Sequence, residues 1–85
     1  MADDVLVARV IELVRDVAPM TVRSSIRAQS VLVGTGAVID SMALLELLES
    51  IEVELGVGVS AADVALKNFS TIESLATLLA PSIEQ

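Results

Sequence analysis

The stretch Ile39-Asp40-Ser41-Met42-Ala43-Leu44-Leu45-Glu46-Leu47-Leu48-Glu49-Ser50-Ile51-Glu52-Val53-Glu54-Leu55 has the strongest periodicity in this chain. Leu44, Leu48, Ile51 and Leu55 follow the i, i+4, i+7, i+11 spacing of a core-facing helical stripe. Glu46 and Glu49 fall on the opposite side, with Glu52 and Glu54 on its flanks. Asp40 stands where an N-cap belongs, immediately before the periodic run, which makes Ser41 the first helical residue. Met42 breaks the simple amphipathic pattern by projecting toward the acidic, solvent side beside Glu46 and Glu49. A hydroxyl rather than an apolar group therefore occupies the tip of the best-patterned helix.

The rest of the composition fits a helical domain. Eighty-five residues make one small domain with a modest core, expected over residues 1–85 and ordered over about 3–80. The chain is 54% hydrophobic but only 1% aromatic, with Phe69 alone, so Leu, Val, Ile and Ala must build the core. Cysteine and histidine are absent, which removes disulfides, thiolate nucleophiles, thiol ligands for zinc and the usual neutral-pH base. The redox compartment is left open. The net charge of −7 is unevenly placed. Asp3, Asp4, Glu12 and Asp16 balance Arg9, Arg15, Arg23 and Arg27, while everything after residue 27 has Lys67 as its single cation. Such a field repels nucleic acid and anionic lipid and attracts basic protein surfaces. No basic leader opens the chain and no apolar run reaches the length of a membrane span, so the cytoplasm is the expected location.

Working outward from the central helix, a first helix is expected from Asp3 or Asp4 to about Val17, burying Leu6, Val10, Leu13, Val14 and Val17. Glu12 and Asp16 lie at pairing distance from arginines on its surface. Pro19 is expected to end it. Residues 18–39 have no sustained period and read as a long loop, anchored by Val31-Leu32-Val33 and Val38-Ile39 filling the gap between helices. The central helix stops at Leu55-Gly56, and Val57-Gly58-Val59 follows as an extended link. A short helix is expected over Ala61–Leu66, capped by Ser60. Asn68-Phe69 makes a corner, with Phe69 as the largest core anchor. Ser70-Thr71-Ile72-Glu73 has capping-box spacing, and the last helix buries Ile72, Leu75, Ala76 and Leu79 before Pro81 closes it. The expected fold is all-α: a small four-helix bundle, three main helices and a short one, with a long loop between the first two.

The residues restrict the chemistry. A nucleophilic serine needs an adjacent base, and there is no histidine and only Lys67 as a lysine. Glu46 and Glu49 sit on a convex exposed face rather than in the dry pocket that acid–base work requires. Gly34 and Gly36 form a G-x-G without the lysine or strand of a phosphate loop. Asp40 is better explained as a cap than as a metal ligand. The sequence therefore implies no catalytic residue, no metal site and no enzyme.

Asp40-Ser41-Met42 opening an acidic, leucine-rich helix resembles the attachment motif of the acyl and peptidyl carrier proteins of fatty acid, polyketide and nonribosomal peptide assembly. The resemblance runs from about residue 30 to residue 80 and includes the Gly56–Val59 link and Asn68-Phe69-Ser70-Thr71 leading into the last helix. It implies that Ser41 carries a covalent 4′-phosphopantetheine arm derived from coenzyme A, holding acyl or aminoacyl cargo as a thioester. It also implies that Asp40 is read by the phosphopantetheinyl transferase, and that Met42, Glu46 and Glu49 form the surface read by partner enzymes. Those partners would be the transferase, a loading enzyme (a ligase or adenylation enzyme, or an acyltransferase) and a downstream synthase; no nucleic acid or membrane is implied. Ile39-Asp40-Ser41-Met42 and the Leu44–Leu48 run look most like monomeric, free-standing carriers of specialised metabolism. One departure is Val38, where the family usually has glycine two residues before the aspartate; the loop is expected to approach the helix by a different path. The contrasting reading is an unmodified acidic helical adaptor for a basic partner.

Overall fold

The computed structural model describes residues 4–59 and 70–83, with the side chains of residues 82 and 83 excepted. Helix α1 spans Asp4–Val17, α2 Met20–Arg23, α3 Ser41–Leu55 and α4 Ile72–Ile83. The all-α expectation holds, and there is no strand among the described residues. The short helix expected over Ala61–Leu66, the Asn68-Phe69 corner and the Phe69 anchor lie outside them.

Helix α1 packs against both α3 and α4. Its buried residues Leu6, Val10, Leu13 and Val14 keep the i, i+4, i+7, i+8 stripe, while Val17 is half-buried. They meet Leu47, Leu48 and Ile51 of α3 and Ile72, Leu75, Ala76, Leu79 and Ala80 of α4 in one aliphatic core. No polar side chain is buried among the described residues, so this core makes no hydrogen-bond demands on itself.

Several expectations need correction. The stripe of α3 was expected to be Leu44, Leu48, Ile51 and Leu55, but Leu44 and Leu55 are only half-buried and Leu47 is fully buried. Leu44 and Leu55 do share the core-facing direction. They sit near the two ends of α3, where less of the core covers them, while Leu47 on the stripe's flank is enclosed. Residues 18–39 are not all loop. Pro19 ends α1 as expected, because it has no N–H to continue the ladder, and its φ of −58° and ψ of 146° turn the chain into α2. Four residues are too few to show a period, which is why α2 was invisible in sequence. Arg15 donates to the Ile26 carbonyl at 3.5 Å and Arg23 to the Ala18 carbonyl at 3.2 Å, tying this turn to α1.

The cap of α4 is also displaced by one residue. Thr71 and Ser74 form the reciprocal pair: Thr71 Oγ1 accepts the Ser74 N–H at 3.1 Å, and Ser74 Oγ accepts the Thr71 N–H at 2.9 Å. The expected Ser70–Glu73 box does not form, because the Ser70 N–H donates to Ser74 Oγ at 3.1 Å and the Glu73 N–H to the Ala28 carbonyl at 2.9 Å; the Glu73 carboxylate accepts instead from Gln29 Nε2 at 2.8 Å. Pro81 lies inside α4 rather than closing it, and the helix continues to Ile83. A proline this near a C-terminus forfeits one backbone bond without disrupting the turns before it. Of the surface pairs expected on α1, Arg9–Glu12 is present at 3.8 Å. Asp16 has no ion pair among the described residues, since no arginine stands three or four residues from it and its neighbour Arg15 points elsewhere, to the Ile26 carbonyl. Arg9 also reaches Glu54 of α3 at 3.9 Å, an exposed pair that contributes about 0–1 kcal/mol.

The feature that positions the site is the clip between residues 28–33 and 70–73. Leu32 N–H donates to the Ser70 carbonyl at 2.6 Å, Ile72 N–H to Ser30 at 3.1 Å and Glu73 N–H to Ala28 at 2.9 Å. Val31 and Thr71 form an isolated antiparallel bridge. As expected, Leu32 and Ile39 plug the core without forming a strand. Val38 N–H then donates to the Val31 carbonyl at 2.8 Å and Ala37 N–H to Gly34 at 3.2 Å. These bonds fold residues 31–38 back on themselves just before α3 begins.

Candidate functional site

Asp40 ends that loop in an extended conformation, with φ −86° and ψ 179°. Its Oδ1 accepts the Ala43 N–H at 2.8 Å, and its carbonyl accepts the Leu44 N–H at 2.9 Å. The cap expected from sequence is present. It satisfies the third N–H of α3, and the carbonyl starts the helical ladder. The N–H groups of Ser41 and Met42, at the first two helical positions, have no intrahelical acceptor. At the other end Gly56 takes the left-handed conformation, with φ 71°, and donates to the Glu52 carbonyl at 3.0 Å. The helix is stopped where the sequence places its glycine.

Ser41 is exposed on the first turn. Beside it opens a cleft of about 300 Å³, lined by Ser41 and Asp40 together with Leu32, Val33, Ile39 and Leu44, so its surface is part polar and part apolar. One wall is the folded loop and the other is the first turn of α3. Gly34 and Gly36 shape that loop with φ of 103° and 81°, a backbone region that side-chain-bearing residues rarely adopt. A Cβ at either would meet nothing within 4 Å, so conformation rather than crowding explains the glycines.

The outer face of α3 carries the other expected residues. Met42 is 74% exposed, and Glu46 and Glu49 are exposed beside it, one and two turns on. Two residues of this face went unread in the sequence: Val53, 74% exposed, and Leu45, 57% exposed. Val53 stands eleven residues from Met42 and four from Glu49, the spacing of a shared helical face. That signal was available. Leu45 was hidden in a leucine-rich run whose members cannot all face the core. The cleft was not read either, because it depends on how the loop folds back.

This site offers an exposed hydroxyl, backbone donors without an intrahelical acceptor and a partly apolar recess, with no basic side chain beside the hydroxyl among the described residues. A family model described as a phosphopantetheine attachment site matches residues 8–79. No curated protein and no solved structure matches the chain significantly. The matched span covers all of α2 and α3 and most of α1 and α4, so the fold and the cap-and-hydroxyl site lie within one family unit. The chain belongs to the phosphopantetheine attachment site family, the carrier domains that hold a covalent 4′-phosphopantetheine group.

Proposed function

We propose that Ser41 is the attachment residue and that the chain carries acyl or aminoacyl groups between enzymes of a polyketide or nonribosomal peptide pathway. The observation that supports this most directly is the exposed Ser41 hydroxyl on the first turn of α3, next to the Asp40 cap and in the lining of a cleft shared with Leu32, Ile39 and Leu44. The residues present suit the group. A phosphodiester on Ser41 lies near the free N–H groups of Ser41 and Met42, where the helix dipole favours an anion by about 0.3–1 kcal/mol. The Asp40 carboxylate opposes that charge in part, although its bond to Ala43 N–H holds it in the cap.

In loading, Ser41 Oγ forms a bond to the pantetheine-bearing phosphorus of coenzyme A, and the pyrophosphate P–O bond breaks. Adenosine 3′,5′-bisphosphate leaves, and the serine proton passes to a base. This chain has no histidine to take it, so the transferase supplies the base and the Mg²⁺. Once bound, the group supplies the terminal thiol on which cargo is held as a thioester. Carrier domains of this family are not catalytic themselves. The role of this chain is to hold Ser41 rigidly and to present Met42, Glu46 and Glu49, with Leu45 and Val53, to partner enzymes. Assignment to specialised metabolism rests on the likeness of Ile39-Asp40-Ser41-Met42 and the Leu44–Leu48 run to carriers of that kind.

Intact mass after incubation with coenzyme A, Mg²⁺ and a broad-specificity transferase tests the assignment. The expected result is a gain of one phosphopantetheine in the wild type and none in folded Ser41→Ala. A folded wild type that gains nothing from two different transferases would favour the unmodified adaptor, which the exposed acidic and apolar face of α3 also suits.

A further inference from the structure

The acids and arginines of the first 27 residues cancel in sum but not in place. Asp4 opens α1, and Glu12 is paired with Arg9. Arg15 stands in the last turn of α1, about 16 Å along the axis from Asp4 at 1.5 Å per residue. Its guanidinium reaches the carbonyl of Ile26, the residue before Arg27, at 3.5 Å. Arg23 closes α2 and turns back to the Ala18 carbonyl, just past the end of α1, at 3.2 Å. The corner between α1 and α2 therefore gathers Arg15, Arg23 and Arg27, all three exposed. We propose that this arginine surface docks a short acidic segment of a partner protein, separately from the acidic face of α3.

The two backbone bonds hold Arg15 and Arg23 in place without neutralising them, because a carbonyl carries no net charge. A cation at a helix C-terminus has a structural use, and that accounts for one donor of each. A guanidinium has five, so most of the fork remains free to meet a carboxylate. Arg27 has no such use: its side chain makes no hydrogen bond or ion pair among the described residues. Asp16, on the same turn as Arg15, pairs with none of the three among those residues. Met20, 81% exposed at the start of α2, adds an adaptable apolar contact beside them.

Charge also selects the kind of partner. A lipid surface or a nucleic acid duplex is an extended polyanion, and it meets the field of the whole chain, whose net charge is −7. A short acidic segment can lie within one screening length of the arginines, about 8 Å at physiological ionic strength, and respond to their local charge instead. A carrier with such a corner could stay tethered to one protein while α3 is presented to another.

The test titrates the full chain, at physiological ionic strength, with a peptide of about six residues, aspartates and glutamates around one leucine. Backbone and arginine side-chain NMR shifts are followed, and Ser41 need not be loaded, so the result is independent of the attachment assignment. The expected result is saturable shifts confined to residues 15–27, absent with the matching asparagine and glutamine peptide. Arg27→Gln, which removes no bond among the described residues, is expected to weaken binding about threefold. The triple change of Arg15, Arg23 and Arg27 to glutamine should weaken it by roughly tenfold or more. Phosphatidylserine vesicles and a short DNA duplex should leave the spectrum unchanged. Shifts that do not saturate, that centre on α3, that persist with the uncharged peptide or that Arg27→Gln leaves unaltered would overturn the proposal. So would a stronger response to the vesicles or the duplex, which would assign the arginines to an extended polyanion.

Discussion

The Asp40 carboxylate satisfies the Ala43 N–H and leaves the neighbouring Ser41 exposed, so one side chain both starts α3 and frames its first hydroxyl. Removing it in Asp40→Ala is expected to cost about 1 kcal/mol. For a domain of this size that lowers Tm by about 4–8 °C, readable by thermal melting. Asp40→Asn still caps and should melt close to wild type. If the transferase reads the negative charge, loading of Asp40→Asn will slow although its stability is kept. Asp40, Ser41 and Gly56 were legible in the sequence because capping and left-handed stops are local chemistry. The Thr71–Ser74 pair was not. Glu73 looked like the capping partner, but the Ser70 N–H goes to Ser74 Oγ and the Glu73 N–H to the carbonyl of Ala28, far away in sequence.

On α3 the division between core and partner face can be tested by paired truncations. Leu47 is fully buried, so Leu47→Ala is expected to cost about 2–5 kcal/mol in urea unfolding. Leu45 is 57% exposed, and Leu45→Ala should stay within about 0.5 kcal/mol of wild type. Opposite outcomes would mean that the helix is rotated from the orientation described. The helix itself and its acidic outer side followed from the 3.6-residue period, but its buried edge did not. Leu45 and Leu47 lie on opposite flanks of the same stripe, and only the packing of α1 and α4 determines which flank is covered. Helix α2 escaped for a different reason: a single turn placed by Pro19 carries no period to read.

Across the molecule, the net charge belongs to residues 28–85, with Asp40, Glu46, Glu49, Glu52 and Glu54 on or capping α3, while the acids and arginines of the first 27 residues cancel. Glu46, Glu49, Glu52 and Glu54 meet no basic residue on their own helix, and among the described residues only Glu54 is paired, with Arg9. A basic partner should therefore approach the Ser41 end under electrostatic steering that salt weakens, since screening sets in beyond about 8 Å at physiological ionic strength. The double change Glu46→Gln with Glu49→Gln is expected to lower kcat/KM for loading by roughly tenfold at low salt, with the deficit shrinking as salt rises. A deficit that salt leaves unchanged would assign these glutamates to close contact rather than to steering. The all-α class was legible at this scale because local periods and caps agree with one another. The clip of residues 28–33 on 70–73 was not, since its partners are remote in sequence and bond through backbone atoms that every residue shares.

That clip also bears on the order in which the molecule assembles. Helical turns form from neighbours and need no distant partner, whereas the clip must close a long loop and bear its entropy before any bond rewards it. The wall of the cleft is built from the clipped loop, so α3 can begin to coil before the recess beside its first turn exists. On a nascent chain, Ser41 would be synthesised well before Ser70 and Thr71, the residues that complete its surroundings. An enzyme that recognises those surroundings, rather than the Asp40-Ser41-Met42 tripeptide alone, would select for chains that have finished folding.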